Sequence, residues 1–179
     1  MKFWGILCMN YDSILKLVND ETYYMIDIDG VCIDTESRIA PLAAQIGFKE
    51  AFKIINWHDH IFASNQINGS LDILRDIQSK LKRIQLLTQN HTLEEEREKI
   101  LFFRQNGIFI PIVSVPPKVS KFEVVSPEFY DGNIVLVDDR EKQVVEWNDA
   151  GGIGVLFTQD EQPKEYRKVK SLEFLKMVK

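Results

Sequence analysis

Cysteine is scarce in this chain: Cys8 and Cys32 are the only two. They have no CxxC spacing and no ligand-type histidine beside them. A disulfide scaffold and a zinc site are therefore not indicated, and each is read as a small core residue. Long apolar runs are missing as well. The opening "MKFWGILCMNYDSI" carries one lysine and a short apolar stretch interrupted by Asn10 and Asp12. It fits neither a signal peptide nor a membrane span, so a cytoplasmic protein with no membrane contact is expected. Basic residues are outnumbered, 22 Lys and Arg against 27 Asp and Glu, for a net charge of −5. That balance lacks the broad positive field of a nonspecific nucleic-acid binder and favours divalent cations. What the chain has in quantity is apolar side chains. At 45% of 179 residues they suffice for one core and argue against disorder, so one domain with a small insertion is expected.

Five apolar, β-branched runs read as strands: "TYYMIDI" (22–28), "RIQLLT" (83–88), "IFIPIVSV" (108–115), "NIVLV" (133–137) and "GVLF" (154–157). Helical patterns separate them. The clearest runs from Leu93 to Asn106, with Thr92 as N-cap, Glu95 three residues on as in a capping box, and Gly107 at the closing position. Ser70 precedes "LDILRDIQSKL", whose Leu71, Leu74, Ile77 and Leu81 recur at helical spacing, and Ser171 precedes "LEFLKMV". Short apolar strands alternating with amphipathic helices predict an α/β protein, a Rossmann-like three-layer arrangement with a parallel sheet and helices on both faces. Residues 35–69 stand outside the alternation. They are expected to form a small helical cap inserted after the first strand, leaving 1–34 and 70–179 as the core domain.

Polar residues collect at the carboxyl ends of the predicted strands, where open α/β sheets bind ligands. Asp27 and Asp29 close the first run, Thr88 the second, and Asp138 with Asp139 the fourth. Side chains two apart in a strand share a face, so Asp27 and Asp29 can enter one site, and Gly30 lets the backbone turn away. Carboxylates gathered in this way repel one another, and a hard divalent cation with oxygen ligands relieves the repulsion. Mg²⁺ fits best, because it takes a couple of carboxylates and leaves the rest of its shell to water and phosphate. A bound phosphate would in turn use the Thr88 hydroxyl, backbone amides and a lysine on the facing loop.

With these residues in order, the sequence resembles the haloacid dehalogenase-like (HAD) superfamily of phosphohydrolases. It carries DxDG at Asp27–Gly30, an apolar strand ending in Thr88, a lysine in "PPKVSK" and an apolar strand ending in Asp138 and Asp139. The resemblance covers residues 22–158. It implies that Asp27 is the nucleophile that forms an aspartyl-phosphate, and that Asp29 is the general acid and then the base. It further implies that Thr88 and the lysine hold the phosphoryl oxygens, and that Asp27, Asp138, Asp139 and the backbone carbonyl of Asp29 hold Mg²⁺. Lys121 is preferred to Lys118 as that lysine because it lies nearer the fourth motif. "DDREKQVVEWNDAGGIGVLF" is similar to the end of small bacterial and phage members related to 5'(3')-deoxyribonucleotidases. The implied activity is a Mg²⁺-dependent phosphomonoesterase acting on a small metabolite, with nucleoside monophosphates leading.

Other features are given plainer roles. His58 and His60 in "WHDH" are read as surface or cap-packing residues, Arg140 as an exposed helix start, and "LEEEREK" as a solvated helix face. The first 20 residues are read as a helix on the core or an oligomer contact. A phosphatase for nucleic-acid ends and a non-catalytic Mg²⁺ or phosphate-binding module are the competing functions. A phospho-acceptor receiver is set aside by motif order, since here DxD comes first and DD last.

Overall fold

The computed structural model describes residues 21–125, 133–160 and 166–178. The readings made for the first 20 residues, Cys8 included, lie outside them. The elements in chain order are β1 (Tyr23–Ile26), α1 (Glu36–Ile46), α2 (Phe48–Ile54), α3 (Trp57–Phe62), α4 (Ser70–Ile77), β2 (Ile84–Gln89), α5 (Leu93–Gln105), β3 (Ile112–Val115), β4 (Ile134–Asp138), α6 (Glu141–Asp149), β5 (Ile153–Phe157) and β6 (Arg167–Val169). Short 3₁₀ turns cover Phe122–Val124 and Leu172–Met177.

All six strands pair in parallel in the order β3-β2-β1-β4-β5-β6. β1 is central, covered on both faces, and this explains why its sequence is a continuous apolar run. Tyr24 and Ile26 pack on one face with Leu86, Val137, Leu74 and Phe103, while Met25 packs on the other with Leu87, Leu136 and Trp147. Trp147 anchors α6 to the sheet by donating its indole N–H to the Ile134 carbonyl at 3.1 Å. Gly152 is needed beside it, because a Cβ there would lie 2.3 Å from the indole nitrogen.

Two differences from the sequence reading have simple causes. The third strand occupies only Ile112–Val115, because Gly107 closes α5 in a left-handed turn at φ +72° and Pro111 has no N–H to give the ladder. A sixth strand, Arg167–Val169, was not expected: it is three residues long, two of them basic, at the sheet edge.

The segment between β1 and α4 has two parts. Helices α1 and α2 share a small cluster of Ile39, Ala43 and Ala51, joined at its margin by Leu42, Phe52 and Ile55. From α3 onward, Trp57 and Ile61 sink into the main core beside the sheet. Among the described residues, no helix is long and apolar enough to cross a membrane.

Candidate active site

The register of β1 against β4 pairs Ile26 with Val137, which brings the next residues, Asp27 and Asp138, side by side at the carboxyl edge of the sheet. Asp27 is buried, and its Oδ1 accepts the Ile28 N–H at 2.9 Å and lies 2.7 Å from Lys121 Nζ. The same ammonium donates to Asp138 Oδ2 at 2.6 Å, while Asp138 Oδ1 accepts the Arg140 N–H at 2.8 Å. Lys121 is therefore the lysine that reaches the carboxylates. Lys118 stands on an exposed loop at φ +73° and lines a different groove, beside Arg140 and Lys142.

Oxygens of Asp27, Asp138 and Asp139 lie within 4.8 Å of one another. Burial pushes the Asp27 carboxyl up to about 8; Lys121 opposes the rise, and the neighbouring Asp138 and Asp29 carboxylates add to it. Asp139 is pushed up to about 6, first by burial and then by Asp138. Burial disfavours the Lys121 charge, but Asp27 and Asp138 more than reverse this and hold the ammonium protonated. One buried lysine thus faces three carboxylates, an excess of negative charge on hard oxygen donors, and this donor set fits Mg²⁺. The Asp29 carboxylate is not in this group. From Asp29 only the backbone carbonyl is left as the ligand that the sequence reading assigned.

The Asp29 side chain has its own set of partners. Oδ1 accepts from Thr35 Oγ1 at 2.8 Å, and Oδ2 accepts from Thr88 Oγ1 at 3.0 Å and from Lys99 Nζ at 2.6 Å. Burial raises the Asp29 carboxyl, yet the Lys99 charge and these hydrogen bonds outweigh it and leave the group below its ordinary value. Thr88 is fully buried behind Asp29, with Lys99 Nζ at 3.1 Å from its hydroxyl. The two aspartates of DxD therefore sit in opposite environments two residues apart, one beside a carboxylate cluster and one held by a cation and two hydroxyls.

Lys99, Asn90 and Thr35 were not picked out in the sequence, and Glu95 only as a capping-box residue. The reading of "LEEEREK" as a solvated face is corrected here, since Glu95, Glu98 and Lys99 are all buried. Their signal was present in the spacing: Glu95, Lys99 and Phe102 recur at i, i+4, i+7 on the face that α5 turns to the sheet, where apolar residues are the ordinary choice. Thr92 caps the helix as expected, accepting the Glu95 N–H at 3.0 Å. The Glu95 carboxylate does not close the box on Thr92; it accepts the His91 N–H and pairs with Lys99.

A cleft of about 190 Å³ opens over Asp27, Asp29 and Asp139. Phe48, Phe52, Trp57 and His91 line its far side, with Phe52 stacked on His91 at 4.0 Å and on Trp57 at 5.8 Å. His60 is buried edge-on to Trp57, and burial keeps its imidazole below the usual value. His58 bridges to Glu98 at 2.8 Å, tying α3 to α5. His60 also lines the cleft, the His58 side chain is half exposed, and neither belongs to the carboxylate cluster.

No family model matches the chain, and a search of the curated proteins finds no match. Solved structures do resemble it. A haloacid dehalogenase-like hydrolase from Burkholderia xenovorans superposes with a TM-score of 0.62 at 14% identity, over 87% of this chain and 95% of the other. A structure described as a dehalogenase gives 0.60 at 13% identity, over 89% and 97%. A haloacid dehalogenase-like family protein from Streptococcus pneumoniae gives 0.59 at 13% identity, over 88% and 98%. At these identities the likeness establishes the fold: a parallel α/β sheet of the haloacid dehalogenase-like type.

Proposed function

We propose that this chain is a Mg²⁺-dependent phosphomonoesterase that works through a phosphoryl group carried on Asp27, with small phosphorylated metabolites as substrates and nucleoside monophosphates as the leading class. The observation that carries the reading is the division of labour in the DxD pair. Asp27 has Oδ1 tied to Ile28 and Lys121, leaving lone pairs on Oδ2 to attack phosphorus, while Asp29 is held separately as a proton-transfer group. Asp27 displaces the ester oxygen, which leaves with a proton from Asp29. Water then attacks the phosphoryl group and gives a proton to Asp29, so that inorganic phosphate departs and Asp27 is regenerated. Asp29 is held as a carboxylate at rest, the form that accepts the proton in the second step. For the first step the proton enters with the substrate, whose phosphate has a second pKa of about 6.

Lys121 offsets charge at Asp27, and Thr88 would donate to a phosphoryl oxygen. Asp27, Asp138, Asp139 and the Asp29 carbonyl would hold Mg²⁺, which when bound stabilises negative charge on the phosphoryl oxygens. The aromatic wall formed by Phe48, Phe52, Trp57 and His91 supports a leaving group with a planar ring. Halide displacement is the chemistry suggested by the dehalogenase neighbour. It needs a nucleophilic carboxylate and a base for the water that hydrolyses the resulting ester, a part Asp29 could fill, but no cation site, and so it leaves the cluster of Asp138 and Asp139 beside Asp27 unexplained.

The test is phosphate release from 5'- and 3'-(deoxy)nucleotides, sugar phosphates and a 3'-phosphorylated oligonucleotide, in Mg²⁺ or EDTA, with 2-haloacids in parallel. Release that requires Mg²⁺ and is lost in Asp27→Asn is expected, with mononucleotides best. Halide release without phosphate release would overturn the reading.

A further inference from the structure

One buried cation has no part in the steps above. Lys99 is fully buried on α5, with its Nζ at 2.6 Å from Asp29 Oδ2, 2.7 Å from Glu95 Oε1, 2.9 Å from Asn90 Oδ1 and 3.1 Å from Thr88 Oγ1. An ammonium donates three protons and accepts none, so the three shortest contacts use all of them and fix its orientation. Its supports are themselves fixed. Glu95 accepts the His91 N–H at 2.7 Å through its other oxygen, and Asn90 donates to Ser114 Oγ at 2.8 Å.

We propose that Lys99 is a positioning residue, which holds the Asp29 carboxylate in place for proton transfer and frees Thr88 to bind the phosphoryl group. The inference rests on the phosphatase reading. Thr88 has a single hydroxyl proton, and here it goes to Asp29 Oδ2. To hold a phosphoryl oxygen, that proton has to leave Asp29. Because Lys99 already donates to the same oxygen and Thr35 to the other, Asp29 stays anchored when Thr88 changes partner. With Thr88 alone on Oδ2, substrate binding would release that oxygen just as proton transfer is required. The clamp is built on a capped helix and the residue following β2, rigid elements suited to holding a reacting group.

The two halves of the reaction make the role measurable. A p-nitrophenolate leaving group departs without a proton, whereas an alkoxide needs one, so misplacing Asp29 harms the first step for alkyl phosphates only. Lys99→Met removes the cation at similar length. Adding Glu95→Gln removes the buried carboxylate that Lys99→Met would strand, which protects folding. In the double variant of the full chain, kcat/KM for the best alkyl phosphate is expected to fall about 10–100-fold. For p-nitrophenyl phosphate it is expected to hold, while kcat drops and a burst of p-nitrophenolate appears as the phosphoenzyme waits for water. Equal losses on both substrates, or no loss on either, overturn the positioning role while leaving the phosphatase reading intact. A wild type that releases phosphate from neither substrate overturns that reading and this inference with it.

Discussion

At Gly30 the backbone sits at φ +75°, and a Cβ there would lie 2.1 Å from Oδ2 of Asp139. The residue after DxD is therefore glycine for two reasons: the left-handed turn, and the approach of a carboxylate over its Cα. Gly30→Ala is expected to cost about 1–2 kcal/mol for the conformation alone and to displace Asp139. Thermal melting should show the first effect, and a rise in the Mg²⁺ concentration needed for half-maximal activity the second. An unchanged Mg²⁺ requirement would remove Asp139 from the cation site. At Asp29 the expected loss is in turnover: Asp29→Asn should lower kcat about 10²–10⁴-fold, the range of general acid–base catalysis. Full activity in that variant would mean that the Lys99 and threonine contacts serve only to fill a buried corner.

Helix α5 carries the polar contacts to Asp29 as well as packing. Phe103 is fully buried in the main core, and Phe103→Ala is expected to cost about 3–5 kcal/mol. Thr92→Ala should cost about 1 kcal/mol. It should also lower turnover, since the cap fixes the turn that bears Glu95, the partner of Lys99. A cap variant that melts earlier yet turns over normally would separate the helix end from the site. This element also shows what the sequence could and could not reveal. Its limits were legible in Thr92 and Gly107, because caps are local chemistry. Its inward face was marked only by the spacing of Glu95, Lys99 and Phe102, a signal masked because Glu95 and Lys99 neutralise each other across one helical turn and look, one residue at a time, like a solvated charge pair. Strand ends were legible for the opposite reason. Apolar strands buried on both faces make a carboxylate or a threonine at their termini conspicuous, so Asp27, Asp29, Thr88 and Asp138 stood out. The retreat of β3 to Ile112 followed from Pro111, and short, basic β6 had no apolar run to announce it.

Across the whole molecule, a six-stranded sheet brings together residues as distant in sequence as Asp27, Lys121 and Asp138, and it holds a surplus of negative charge at one edge. The surplus costs stability when no cation is bound. Mg²⁺ is therefore expected to raise the melting temperature, with a gain of about 2.7 kcal/mol at a concentration 100 times its dissociation constant. EDTA should reverse the gain, and Asp139→Asn should reduce it; a melting temperature indifferent to Mg²⁺ would argue against a cation among these carboxylates. Helices α1 and α2 have only a small cluster of their own, and the aromatic side chains that α2 and α3 place over the cleft are where substrate choice is expected to lie. The central claim, that Asp27 carries the phosphoryl group, is tested most directly by quenching Asp29→Asn during turnover of a radiolabelled phosphomonoester and mapping the label by peptide mass spectrometry. The account predicts an acyl phosphate on Asp27 that forms only in the presence of Mg²⁺. Label on another residue, or phosphate release by Asp29→Asn with no covalent adduct at any time, would contradict it.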